Sequence, residues 1–162
     1  METIQVLFLA DYLNEMLATE RTLAALYRAA LFRTNEEPLR VRLREFQGDA
    51  EQHEEILRNL IADLGGEVGR APAGAQGVLD SMVARMAAPS EPEIKQWQDL
   101  EVLLGAELIC QRNWQVLEAI GDGNGDPQIQ KAVRKVIHEE NKHVTRLREL
   151  VLNRAPGAVL AG

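Results

Sequence analysis

Four long stretches of this sequence carry apolar residues spaced by three and four, and in each an ionisable residue occupies a step of the apolar stripe. In the first stretch Leu9, Leu13, Met16, Leu23 and Tyr27 share a helix face with Glu20. In the second, Phe46, Ala50, Leu57, Leu60 and Leu64 are in phase with His53. In the third, Leu100, Leu104 and Trp114 are in phase with Glu107 and Gln111. In the fourth, Val136 or Ile137, Leu147 and Leu150 are in phase with Glu140 and His143. Stripes of this period belong to helices that bury one face against each other. Strand signals are nearly absent, and Ala, Leu, Glu and Arg, all good helix formers, dominate.

Turn and cap signals divide the chain. The first helix is expected over 3–32. Thr34 and Glu37 fit a capping box, and Pro38 suits a first turn, so a second helix is expected over 37–64, stopped by Gly65 and Gly66. Residues 65–74 read as a loop and 75–88 as a short helix ended by Pro89. Ser90 with Glu93 caps a third long helix reaching Ile120, and 121–125 reads as a flexible turn. Asp126 caps the fourth long helix, Pro127 starts it, and it is expected to end before Pro156. The expectation is an all-α bundle of two antiparallel helical hairpins, with the small helix in the crossover between them. It forms one domain over 1–154, with a loose tail at 155–162.

The ionisable residues in the stripes lie near the middle of their helices. In an antiparallel bundle such positions fall at one level, so the groups converge. Carboxylates are almost never fully buried unless paired, because an isolated buried charge loses its hydration. A divalent metal neutralises facing carboxylates and satisfies their lone pairs. Glu140 and His143 are three residues apart, so both side chains can reach one ion. The blander alternative is a hydrogen-bonded core histidine and a helix-face ion pair. His138 falls off the inner stripe and reads as surface. Trp97, Trp114, Met16 and Tyr27 read as packing, with an approach to the site as the alternative for Tyr27, and Cys110 as a small buried hydrophobe.

An internal repeat links the two halves. Pro38 follows Glu20 by 18 residues and Pro127 follows Glu107 by 20; His53 follows Pro38 by 15 and His143 follows Pro127 by 16. A Glu on one helix and Glu-x-x-His on the next, given twice, resembles the di-iron signature of the ferritin-like superfamily. The chain resembles that superfamily over residues 3–153. It is similar to rubrerythrin in arrangement but has no rubredoxin cysteines. It also resembles the YciE/YciF stress-protein family, which shares the four long helices and the small crossover helix. Where that family's second helix has a Glu four residues before a Gln, alignment on Leu43, Phe46 and Leu57 puts Asp49 and His53 here. The resemblance implies metal ligands at Glu20, His53, Glu107, Glu140 and His143, with Glu140 the bridge. The second half is complete. In the first, Ala50 stands where the motif has Glu, and Asp49, one turn before His53, is the candidate substitute. One tight metal, an asymmetric pair or a decayed site follow from this. The implied cofactor is iron, as one or two ions, with manganese or zinc as alternatives.

The remaining features exclude other classes. The single cysteine, Cys110, rules out a disulfide framework within the chain and a four-cysteine metal site. A net charge of -7 without a basic run argues against a nucleic-acid partner. Apolar runs are too short for a membrane span, and the N-terminus lacks signal-peptide features, so a cytoplasmic protein is expected. An apolar face at Val6, Leu7 and Phe8 suits a homodimer. Two functions compete, with a subunit of an iron-storage cage as a weaker third. One is a redox metalloprotein acting on dioxygen or peroxide in iron handling or stress protection. The other is a non-catalytic bundle whose degenerate site serves structure or protein interaction.

Overall fold

The computed structural model describes residues 3–70 and 76–160. Among them the chain forms α1 (Thr3–Arg33), α2 (Glu37–Asp63), α3 (Gln76–Ala87), α4 (Pro92–Asn124) and α5 (Pro127–Leu160), with no strand. Residues 71–75, which hold the end of the expected loop and the first residue of the expected short helix, lie outside the described residues. So do 161 and 162 of the expected tail.

The helix ends depart from the capping expectations. The Thr34–Glu37 box does not form: Glu36 caps α2 without a side-chain hydrogen bond, and a proline occupies the first turn. The Arg40 guanidinium ties the α1–α2 turn instead, donating to the carbonyls of Leu31 (3.0 Å) and Thr34 (2.9 Å). Ser90 does not cap α4 either; Glu91 takes that place, again without a side-chain bond. The side chain of Glu93 lies outside the described ones. In both helices proline in the first turn leaves one fewer orphan N–H for a cap to satisfy.

Residues 121–125 do not form a flexible turn. α4 continues through Gly121 and Gly123 and stops at Gly125, whose φ of 63° is left-handed. Gly121 is there because of its neighbour: a Cβ at this position would lie 2.7 Å from Ile129 Cγ2. Without a side chain, α5 can start hard against the end of α4. The cap expected for α5 is present, since Asp126 Oδ1 accepts from the backbone N–H of Gln128 (2.9 Å) and Ile129 (3.2 Å). At its far end α5 runs on through Pro156 to Leu160 rather than stopping before the proline. Pro156 and Leu152 are exposed, so water can donate to the Leu152 carbonyl in place of the N–H that proline lacks.

α1 packs along α2 and α4 along α5; α1 also meets α4, α2 meets α5, and α3 lies against α1 and α4. Two buried polar clusters fix the connections. Asn14 holds the loop after α2, donating to the Glu67 carbonyl (3.0 Å) and accepting from Gly69 N–H (2.6 Å). At the other end Asp99 pairs with Arg33 and Lys95 (both 2.8 Å), and Lys95 donates to the Met86 carbonyl (2.7 Å) at the C-terminus of α3. The apolar core has two parts. One gathers Leu23, Leu43, Phe46 and Leu103; the other gathers Leu13, Met16, Leu57 and Val133. Between them in sequence lie Glu20 on α1, His53 on α2, and Glu140 and His143 on α5, while Glu107 on α4 lies within the first part, between Ala106 and Cys110.

Gly121 and Gly123 respond oppositely to alanine. Gly121→Ala must displace Ile129, and overpacking of this kind costs about 1–3 kcal/mol. Gly123 has open space around its Cβ position, so Gly123→Ala stabilises by up to about 1 kcal/mol through helix propensity. Denaturant midpoints of the two variants, measured against the parent, check the contrast.

Candidate metal centre

Each long helix delivers its stripe residue to one buried layer. Glu20 comes from α1, His53 from α2, Glu107 from α4, and Glu140 with His143 from α5; none is more than 1% exposed. Their donor atoms form two groups, Glu20 with His53 and Glu140, and Glu107 with Glu140 and His143. Within each group the atoms lie within 4.8 Å of one another, and Glu140 belongs to both. His53 Nδ1 is 3.2 Å from Glu140 and 3.7 Å from Glu20, and His143 Nδ1 is 3.2 Å from Glu107. Gln111, expected on the same stripe, turns outward to Asn141 at 2.8 Å. Leu104 is only half-buried, and Leu103 takes the core position.

Asp49 does not join the inner groups. It sits on the outer nitrogen of His143, with Oδ2 3.0 Å from Nε2. The reason is its place on α2: one turn before His53, it faces α5 across the seam rather than the bundle axis. Glu139, which the stripe pattern does not single out, does the same for the other half, at 3.1 Å from His53 Nε2. Both imidazoles are thus held from outside by a carboxylate on the opposite helix, which fixes ring orientation and leaves Nδ1 facing inward.

Two aromatic residues read as packing are polar partners of the site. Trp114 Nε1 donates to Glu20 Oε1 at 2.7 Å, and Tyr27 donates a short hydrogen bond to Glu107 Oε1. The arrangement repeats. Tyr27 follows Glu20 by seven residues and Trp114 follows Glu107 by seven. Asp49 precedes His53 by four and Glu139 precedes His143 by four. In every case the brace comes from the other half of the chain. The repeat breaks at one inner position, where Ala50 (1% exposed) matches Glu140.

Enough donors remain unsatisfied to need a further partner. Eight buried side-chain nitrogens and oxygens among the described residues lack a hydrogen-bond partner, and six belong to this layer. They are Glu20 Oε2, Glu107 Oε2, both oxygens of Glu140, and Nδ1 of His53 and His143. Left unpaired, each such atom costs about 1–3 kcal/mol. A layer of this composition can bind a metal ion.

In the metal-free chain protons take part of that role. Burial disfavours a charged His53, but the carboxylates of Glu140 and Glu20 outweigh it and push its pKa up to about 11. Burial likewise opposes protonation of His143, and Glu107 and Asp49 reverse the effect and raise its pKa. Glu140 is held well above the carboxylate range by burial and by the charge of Glu107, with His53 opposing. Burial, followed by the charges of Glu20, Glu140 and Glu107, pushes the Cys110 thiol well up. Cys110 is therefore a protonated neighbour of the layer, in keeping with its reading as a buried apolar residue.

A pH dependence follows. His53 binds its proton more tightly folded than unfolded, so its contribution is fully present below pH 6.5 and is lost as the pH rises through about 11. The raised pKa of Glu140 acts in the same direction. Stability of the metal-free protein falls across this window, and His53→Gln flattens the fall. Urea midpoints over a pH series measure both.

The chain matches no family model and no curated protein by sequence. Among solved structures it is similar to the E. coli stress protein YciF, with a TM-score of 0.78 and 14% identity over 96% of this chain and 99% of that one. This likeness is one of fold: an all-helical bundle that the two chains share over nearly their whole lengths.

Proposed function

We propose that the chain is a ferritin-like bundle of two antiparallel hairpins, α1–α2 and α4–α5, with α3 in the crossover, that binds iron in its polar layer. The ligands are Glu20, His53, Glu107, Glu140 and His143, with Asp49 and Glu139 orienting the imidazoles. The observation that carries this reading is the set of six unpartnered donor atoms in two groups that share Glu140. Carboxylates and imidazoles suit ferrous iron, and manganese or zinc fits the same donors. Iron in such a site supplies redox chemistry toward dioxygen or peroxide. The protein's own part is to hold the donors, exclude bulk water and keep Glu140 between the two groups. The task fitting this chemistry is iron handling or stress protection in the cytoplasm, and the fold neighbour, itself a stress protein, is in keeping with it. Leu7 and Phe8, 63% and 68% exposed, would form the apolar contact of a homodimer.

The Glu107 group is the tighter of the two, for its motif is complete. A second reading rests on Ala50: with one inner carboxylate missing, the bundle is a non-catalytic module with a degenerate site.

Metal content after anaerobic ferrous loading separates the two. The parent should hold iron, Glu140→Ala should lose it from both groups, and His143→Ala should retain only the weaker one. Ala50→Glu should raise occupancy toward two ions per chain. The same change destabilises the metal-free protein by roughly 1–3 kcal/mol, because it adds an unpaired buried carboxyl. A Glu140→Ala protein that binds iron as the parent does places the ligands elsewhere.

A further inference from the structure

The proposed ligands are at most 1% exposed, so an ion needs a way in. A cavity of about 580 Å³ opens at the end of the bundle, lined by Leu13, Leu60, Ile129 and the polar ends of α4 and α5. It is a poor route for a cation. Met16, Leu57, Trp114 and Val133 belong to the same apolar cluster as its lining and separate it from the carboxylates. An ion crossing that layer would shed its hydration with nothing in exchange.

The seam between α2 and α5 is different in character. Its cross-helix hydrogen bonds and ion pairs join polar side chains throughout: Glu36 to Arg154, Glu45 to Lys142, Asp49 to His143, Gln52 to Lys135, and His53 to Glu139. Exposure falls in steps from the surface inward. The side chains of Lys135 and Lys142 are 58% and 47% exposed, those of Asp49 and Glu139 both 20%, and those of His53 and His143 at most 1%. Two files of oxygen and nitrogen donors therefore lead from solvent into the buried layer, one through Asp49 and His143 to Glu107 and one through Glu139 and His53 to Glu140, whose two oxygens have no hydrogen-bond partner. Each file is a carboxylate, an imidazole and a buried carboxylate, with successive contacts of 3.0–3.2 Å.

We propose that the α2–α5 seam is the entry path for a divalent cation, with Asp49 and Glu139 as the groups that first receive it. The proposal rests on the metal-binding reading above and adds the route. Asp49 and Glu139 offer negative charge where an ion still keeps part of its water. Lys135, 3.5 Å from Glu139, stands at the mouth as a counter-charge that an arriving cation must displace. Removing the carboxylate charges therefore slows entry, and removing the lysine charge speeds it. A purely orienting role for the two carboxylates gives no such lysine effect.

The test is stopped-flow uptake of cobalt(II) by the full chain, followed by its visible absorption at low ionic strength. Asp49→Asn with Glu139→Gln keeps an acceptor oxygen at each position while removing the charge. Uptake by this double variant should slow about tenfold, the lower end of electrostatic steering, at unchanged final stoichiometry. Lys135→Gln should load faster than the parent, and Glu118→Gln, on the exposed face of α4, should load at the parent rate. Unchanged rates in the double variant and in Lys135→Gln overturn the route while leaving the metal site standing. Loss of stoichiometry without loss of rate also overturns it, leaving the carboxylates as orienting groups only. If the double variant does not fold, the Lys135→Gln rate decides alone. A parent that takes up no cobalt overturns the metal reading and the route together.

Discussion

Three glutamates and two histidines are buried together in the middle of a helical bundle, none more than 1% exposed. Burying an ionised carboxylate without a partner is costly enough that proteins shift its pKa or bind an ion instead. Much of the surrounding structure answers that constraint. Trp114 and Tyr27 each donate to one glutamate, and Asp49 and Glu139 each hold one imidazole. These braces use up the outward-facing donors and acceptors. The inward-facing ones are left over, and they are the atoms that a metal ion would satisfy.

Each brace reaches across from the opposite half of the chain, so neither half has a complete site by itself. The layer is complete only where α1 and α2 lie against α4 and α5. The symmetry is nevertheless incomplete. Ala50 stands at the position that matches Glu140, leaving a single inner carboxylate between the two groups. Tyr27 stands at the position that matches Trp114, a hydroxyl that can donate or accept in place of an indole N–H that only donates. The two groups of donors are therefore chemically unequal.

Much of this was legible in the sequence. Stripes of period three to four gave the long helices, and their interruptions gave the five residues that the fold brings together. Sequence and structure differ where the outcome depends on a neighbouring helix. Gly121 reads as a helix breaker until Ile129 is seen against it. Asp49 reads as a ligand from its distance to His53 along α2, but its geometry is set by His143 on α5. Trp114 reads as packing, and Tyr27 as packing first and a site neighbour second, because stripe position reports burial and not which polar atom an aromatic ring meets. The signal was present in the matched seven-residue and four-residue spacings of the two halves. It becomes meaningful once the halves are known to face each other.

The central claim is that Glu140 is shared by two groups of metal ligands. Anomalous scattering at the iron edge, from crystals loaded anaerobically with ferrous ion, tests it most directly. The account predicts anomalous density beside Glu140 within the buried layer, stronger on the side of Glu107 and His143 than on that of Glu20 and His53. A buried layer without anomalous density, with iron bound only at surface carboxylates, would contradict it.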